Sequence, residues 1–322
     1  MARSSLTEQL VDLRRGYTGE NLSQAVPAVK TVLHALPDDR RERVVDALNG
    51  RADVRGLFLP DAPSDDQRTL ECVVLQSATD ASVHLQLRPP ASMLRPAHVF
   101  HAVEPADTPR LHLAEHALGP LLYEMLPRHE DRWIAGVAGF RVERHPRSVE
   151  IRLLDLDASV VLSNVDEAAW QLGMNYVHNL LKGRDLPRTF IEGPLSPAER
   201  EHLAEFPRPT GLGSAVLRRY RLFTAAPWLR SLPQRDQWWL EWPQSLGVPK
   251  VADRLLHPVF GLPNAVETPS PSGGLGLTTG WHDLYLREVD PPDPAKEEAL
   301  GAFDWPEGVT GWWEPPQRET VR

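Results

Sequence analysis

The sequence predicts an α+β fold: an N-terminal helical unit, a central mostly antiparallel sheet with two helices, and an irregular Pro/Trp-rich C-terminal region. Three observations carry this expectation. Apolar residues recur at helical spacing through the first fifty positions, and the period shortens to two from Thr69 onward. Beyond Leu186 lie 19 of the 31 prolines and eight of the ten tryptophans. That density forbids long regular elements while supplying large apolar rings.

Taken in order, Ser5 and Glu8 form a capping-box pattern ahead of a stripe at Leu6, Leu10 and Leu13, with Gly16 as the expected stop. A second helix follows from Ala25, Val29, Val32, Leu33 and Leu36 and closes at Pro37. A third is capped by Asp38, turns Val44, Val45 and Leu48 inward and stops at Asn49-Gly50. Residues 1–58 are thus a helical unit, and Pro60 to Asp66 reads as a linker. Leu70, Cys72 and Val74, then Val83, Leu85 and Leu87, alternate on either side of Thr79-Asp80-Ala81, which predicts a β-hairpin. An apolar run at Val99 to Val103 precedes a helical segment from Leu111 to Leu126. Strands follow at Phe140 and Val142, at Val149, Ile151 and Leu153, and at Ser159 to Val165. Asp166 then caps a helix carrying Trp170, Met174, Val177 and Leu181, which stops at Gly183. These elements make residues 66–186 an α+β domain. Residues 187–267 are expected to mix short helices and loops. Residues 268–322 read as a Gly/Pro linker, Thr268 to Gly280, and a tail bearing Trp305, Trp312 and Trp313 that clasps the body or docks on a partner. No internal repeat is evident.

Composition narrows the function. The chain has 322 residues, 35 basic against 44 acidic, and a formal charge of −9, which disfavours a whole-surface binder of nucleic acid or anionic membrane. No uncharged apolar run approaches the roughly 18 residues of a membrane span. Residues 1–15 lack the apolar stretch of a secretory signal, so a cytoplasmic location is expected. Cys72, the single cysteine, excludes an internal disulfide or a thiolate zinc cluster, and its alternation with apolar neighbours favours a buried small hydrophobe. Ser214 reads as an ordinary loop serine.

Three constellations bear on chemistry. His112-Leu113-Ala114-Glu115-His116 is an HxxEH pattern, which on a helix brings two imidazoles to one zinc ion with Glu115 beside it as general base. The pattern resembles the inverzincin metallopeptidases. That resemblance implies zinc ligation by His112 and His116, Glu115 as catalytic base and Glu192 as third ligand. The competing reading is a solvated polar stripe opposite Leu111, Ala114, Leu118, Leu121, Leu122 and Met125. The second constellation, Val216 to Pro243, sets Arg218, Arg219 and Arg221 among Trp228, Trp238, Trp239 and Trp242. Such residues serve as a protein–protein hot spot, as a platform for single-stranded nucleic acid, or as a core over which arginine stems lie. The third, Arg14-Arg15-Gly16-Tyr17-Thr18-Gly19-Glu20 followed by Gln24-Ala25, resembles an N-terminal element of uncharacterised proteins of GC-rich bacteria and their mobile elements, with a fainter likeness from Val137 to Trp170. This resemblance implies no activity. Residues 1–54 hold eight basic and eight acidic side chains, so its helix-turn-helix character comes without a phosphate-neutralising face.

The resulting expectation is a non-enzymatic binding or adaptor protein with a protein partner and no cofactor. A zinc-dependent hydrolase on the HxxEH motif and a single-strand nucleic-acid binder on the Arg/Trp stretch are the alternatives.

Overall fold

The computed structural model describes residues 5–87, 98–114, 116–130, 133–181, 193–234, 237–243, 245–271, 274–280 and 282–289. The fold is α+β. Three helices open it: α1 (Leu6–Thr18), α2 (Leu22–Ala35) and α3 (Asp38–Leu48). The Ser5/Glu8 capping box starts α1, but the helix runs past Gly16 and ends at Gly19, whose φ of 78° is the left-handed turn. Gly19 is there because a side chain would strike the His101 carbonyl and Ala102. Leu10, Val11, Tyr17, Ala25, Val29, Val44, Phe58 and Leu59 form a helical core completed by Val259 and Phe260 from far along the chain.

The expected hairpin at Leu70 to Leu87 is instead one helix of 23 residues, α4 (Asp65–Leu87). Leu70, Cys72, Val73, Val74, Leu75, Ala78, Ala81 and Leu85 are all buried. A helix covered on nearly every side loses its one-sided apolar stripe, and its residues then alternate by accident. Cys72 is the buried small hydrophobe expected: burial pushes its thiol up to about 12.

There follow β1 (Phe100–Glu104), β2 (Arg110–Leu113), α5 (Leu118–Met125), a small hairpin of β3 (Arg128–Glu130) and β4 (Trp133–Ala135), then β5 (Phe140–His145), β6 (Ser148–Leu153), β7 (Ser159–Ser163) and α6 (Glu167–Leu180). Asp166 caps α6 as expected. Helix thus occupies only the end of the span foreseen from Leu111 to Leu126. Leu111 and Leu113 face the core from a strand, and Pro120 fits because the helix begins just before it, in the first turn where proline removes no hydrogen bond. The first sheet has the order β1-β2-β7-β6-β5, antiparallel except for one parallel seam between β2 and β7.

The C-terminal half contains α7 (Pro197–Glu205), α8 (Gly213–Leu217), a 3-10 turn (Tyr220–Phe223), β8 (Arg230–Gln234), β9 (Gln237–Pro243), α9 (Val248–Leu255), β10 (Val266–Pro269), β11 (Leu275–Thr278) and β12 (Asp283–Val289). Within the stretch read as a flexible linker, Thr268 to Gly280, the residues Thr268 and Pro269 of β10 pair with Leu275 and Gly276 of β11. Gly276 sits mid-strand because the Tyr285 ring lies where its side chain would be, so packing comes from the neighbouring strand. The second sheet has the order β10-β11-β12-β9-β8, again with one parallel seam, between β12 and β9.

The two sheets repeat one topology. In each a hairpin is followed by a helix and a three-stranded meander whose last strand returns to pair in parallel with the hairpin's second strand. Each hairpin begins with a five-residue strand, and each connecting helix has eight residues. Phe100 precedes Leu118 by the same distance as Arg230 precedes Val248. The likeness resides in the order and connections of these elements, with β3 and β4 inserted between helix and meander in the first half, while the other strand lengths differ. Among the described residues no helix is long and apolar enough to cross a membrane.

Buried ion pairs tie the parts together. Arg218, fully buried, donates to both oxygens of Glu71 on α4 at 2.6 and 2.8 Å and to the carbonyls of Pro60 and Ala106. Arg219 beside it donates to the carbonyls of Phe260, Gly261 and Ala215, and burial lowers its pKa to about 10. A second pair joins Arg141 on β5 to Glu199 on α7 at 3.0 and 3.1 Å. Burial alone would raise the Glu199 pKa, but Arg141 and the N–H groups of Ser196 and Gly139 outweigh it and hold the group at about 2, against an ordinary 4.5. A carboxylate depressed in the folded state adds stability that is complete above its unfolded pKa and disappears as pH falls towards the folded one. We therefore expect the urea stability of wild type to decline as pH falls from 4.5 to 2, while that of Glu199→Gln, lower at neutral pH, should be flatter across that window. Parallel pH profiles of wild type and variant check this.

Candidate functional site

Both parallel seams end in a place where chain leaves the sheet, and at the first of them lies a crevice. Its volume is about 380 Å³. Leu113 ends β2 and Ala114 and His116 follow it, Asn164 and Val165 follow β7, Leu118 and Gly119 open α5, and Ala169, Leu172, Gly173 and Tyr176 come from α6. The carboxyl ends of adjacent parallel strands are where α/β sheets place ligands, because the chain diverges there and leaves a gap. Two of the three non-glycine residues with positive φ among those described, His116 at 63° and Asn164 at 66°, line this one crevice. Imidazole and amide side chains adopt that region more readily than most, yet its use twice at one site concentrates backbone cost there.

The close approach of α5 and α6 shapes the wall. A side chain on Gly119 would meet Tyr176 at 2.6 Å, and one on Gly173 would meet Leu118 at 3.0 Å. Tyr176 is buried, with its hydroxyl 2.5 Å from His84 Nδ1 on α4, while His84 Nε2 lies 2.7 Å from the Glu124 carboxylate on α5. This chain of three groups fixes the ring orientation from behind, and the described lining is largely apolar, with polar side chains at His116, Asn164 and Tyr176.

His112 and His116 do not share a helix face. His112 is on β2, where its Nε2 meets the Glu104 carboxylate and Gln24 donates to Glu104 at 2.7 Å. His116 lies beyond the strand in the crevice wall. Glu115 and Glu192 fall outside the described residues. The helical disposition required for zinc ligation is thus replaced by a strand and a left-handed turn, since Leu111 and Leu113 take the core positions and force His112 to the other face. Among the described residues no group of three or more His, Cys, Asp or Glu is placed to hold a metal ion.

The Arg/Trp stretch is divided between core and surface. Arg218, Arg219, Trp238 and Trp242 are buried, with Trp238 Nε1 donating to Ser231 at 2.7 Å and Trp242 Nε1 to Glu288 at 3.2 Å. Trp239, half-buried on the opposite face of β9, packs against Tyr285 with ring centroids 4.7 Å apart and tilted by 41°, and Arg287 lies over it. Trp228 is half-buried and Arg221 exposed. Trp305, Trp312 and Trp313 lie outside the described residues.

Ser214 is also committed. Its buried hydroxyl donates to Glu71 at 2.7 Å, at the edge of a second, smaller cavity of about 300 Å³ that includes His282. Sequence reading missed Asn164, Gly119, Gly173 and Tyr176; only the glycines facing large residues across two helices carried a local signal. No protein-family model matches the chain, and no curated protein or solved structure is similar to it.

Proposed function

We propose that this is a non-catalytic binding protein whose ligand, a small molecule with an apolar body, enters the crevice between α5, α6 and the ends of β2 and β7. The observation that carries the reading is the convergence of His116 and Asn164, both in the left-handed region, on one apolar cavity at the end of a parallel seam. Apolar walls with a few fixed polar groups are the usual make-up of a small-molecule site. Binding of a protein partner through the Arg/Trp stretch retains Arg221 and Trp228, and the single-strand reading loses the two buried arginines it most needed.

The test is a thermal-shift and calorimetric screen of small aliphatic and aromatic carboxylic acids, amides and alcohols against wild type and Ala169→Phe. Ala169 is a half-buried position of α6 that lines the crevice, so a ring there fills the cavity while the helix keeps its core contacts. We expect compounds that raise Tm in wild type and lose at least about tenfold in affinity in the variant. A wild type that binds none of the three classes, or a variant that binds equally well, removes the proposal.

A further inference from the structure

We infer that the smaller cavity, of about 300 Å³, is a second binding site, for a free α-amino acid whose ammonium meets Asp61 and whose carboxylate meets Arg68. It shares no described lining residue with the crevice, so the assignment does not depend on the crevice being a site. Four stretches far apart in sequence converge on it: Asp61 and Arg68 on either side of the start of α4, Gly211 ahead of α8, Asn264 ahead of β10, and Thr279 and His282 between β11 and β12.

Two opposite charges border this space without pairing with each other. The nearest cation to the exposed Asp61 carboxylate is the fully buried Arg219, at 3.7 Å, and its oxygens accept no hydrogen bond from the described residues. Arg68 donates to Asp65 from Nη1 alone, while its Nε and Nη2 bond no described residue. Two adjacent guanidinium nitrogens are the fork that takes a carboxylate through parallel bonds. Beside them the Asn264 amide is also unspent among the described residues, on a backbone held at φ 58°, the remaining left-handed non-glycine position of those described. His282 Nδ1 is buried and has no partner among them either, and its ring lies against Gly211, where a side chain would come within 3.2 Å of that nitrogen. Buried polar atoms are ordinarily bonded, as Ser214 is to Glu71 on the same wall, so the unspent groups mark the part of the wall that faces a ligand. A molecule carrying the reverse charges, ammonium and carboxylate, complements them, and the volume suits a small one. Leu212, Ala215 and Pro263 supply apolar surface for its side chain.

Calorimetry on the full chain tests the assignment with the standard amino acids, each beside its N-acetyl derivative, which lacks the α-ammonium, and its primary amide, which lacks the α-carboxylate. Charge-assisted bonds are roughly twice as strong as neutral ones, so at least one free amino acid is expected to bind at least about tenfold more tightly than either derivative. Arg68→Gln is expected to remove that advantage over the amide and leave the affinity for the amide itself unchanged. Asp61→Asn is expected to do the same with the N-acetyl form. Arg68 is half-buried in the first turn of α4, so its variant reads the site even if loss of the charge beside Arg219 unfolds Asp61→Asn. Ala169→Phe, in the crevice, is expected to bind amino acids as wild type does. Derivatives that bind as tightly as the free amino acids, an Arg68→Gln protein with undiminished affinity, or a wild type that binds no amino acid would each overturn the assignment. Loss of amino-acid binding in Ala169→Phe would place the ligand in the crevice and overturn it as well.

Discussion

Glu71→Gln is expected to cost about 3–5 kcal/mol, because it leaves the fully buried Arg218 guanidinium without its counter-charge in the middle of the molecule. The substitution keeps the shape of the side chain, so packing is not the cause. What disappears is the negative charge that both Arg218 nitrogens address, together with one acceptor for Ser214 and Gln67. The loss reaches three regions at once, since the same guanidinium holds the Pro60 carbonyl before α4 and the Ala106 carbonyl between β1 and β2. Urea midpoints at neutral pH measure the effect, and for a chain of this size Tm should fall on the order of 10 °C. The double variant Glu71→Leu/Arg218→Met should recover a large part of it, because two apolar side chains of similar volume need no compensation. A Glu71→Gln protein as stable as wild type would show that Arg218 reaches solvent.

The second large effect is expected from Gly19→Ala, at about 2–4 kcal/mol. An alanine at φ 78° carries a backbone cost of about 1–2 kcal/mol, and its methyl group adds overpacking against the His101 carbonyl and Ala102, which cannot swing aside. Gly19 stands inside a closed network. Arg14 donates to Glu20 at 2.5 and 2.9 Å and to the Phe58 carbonyl, Thr18 donates to Glu20 at 2.9 Å, and the Tyr17 hydroxyl donates to the Arg254 carbonyl at 2.8 Å. A Gly19→Ala protein should keep its far-UV spectrum, unfold earlier in urea and show increased amide exchange first in α1. No change in midpoint would mean that the turn moves freely relative to β1.

That network also accounts for the Arg14-to-Glu20 pattern. Each residue type in it serves the fold: Arg14 and Glu20 pair in a dry setting, Tyr17 fills the helical core, Thr18 ties the turn and Gly19 allows it. The same lesson applies to Arg218 and Arg219. Written as a string, they look like a cationic patch between aromatics, because a sequence does not show which carboxylates and carbonyls will surround a guanidinium.

Where one side of an element stays wet, pattern and structure agree: the capping box at Ser5, the Asp166 cap and strands β5, β6 and β7 are all foreseen from the residues. Where an element is enclosed, the pattern misleads. Glu71, Ser77, Thr79 and Ser82 are buried with their apolar neighbours in α4, which erased the contrast that a helical period needs. The site was least legible of all. Asn164 is one asparagine after a strand, Tyr176 one ring on a helix, and only the return of β7 to the side of β2 gives them a shared space with His116. HxxEH stood out because it has a spacing, and the spacing proved to straddle a strand end.

The two parallel seams carry a consequence for synthesis of the chain. In each sheet the strand that completes the seam is the last to be made, so β9 leaves the ribosome with one edge unpaired and must wait for β12, up to Val289. An unpaired edge carrying Trp238, Leu240 and Trp242 invites association with other chains, and non-local parallel pairing is slow to form. The nascent protein is therefore most exposed to aggregation in the interval between the two strands, and a chain terminated before β12 would remain in that state.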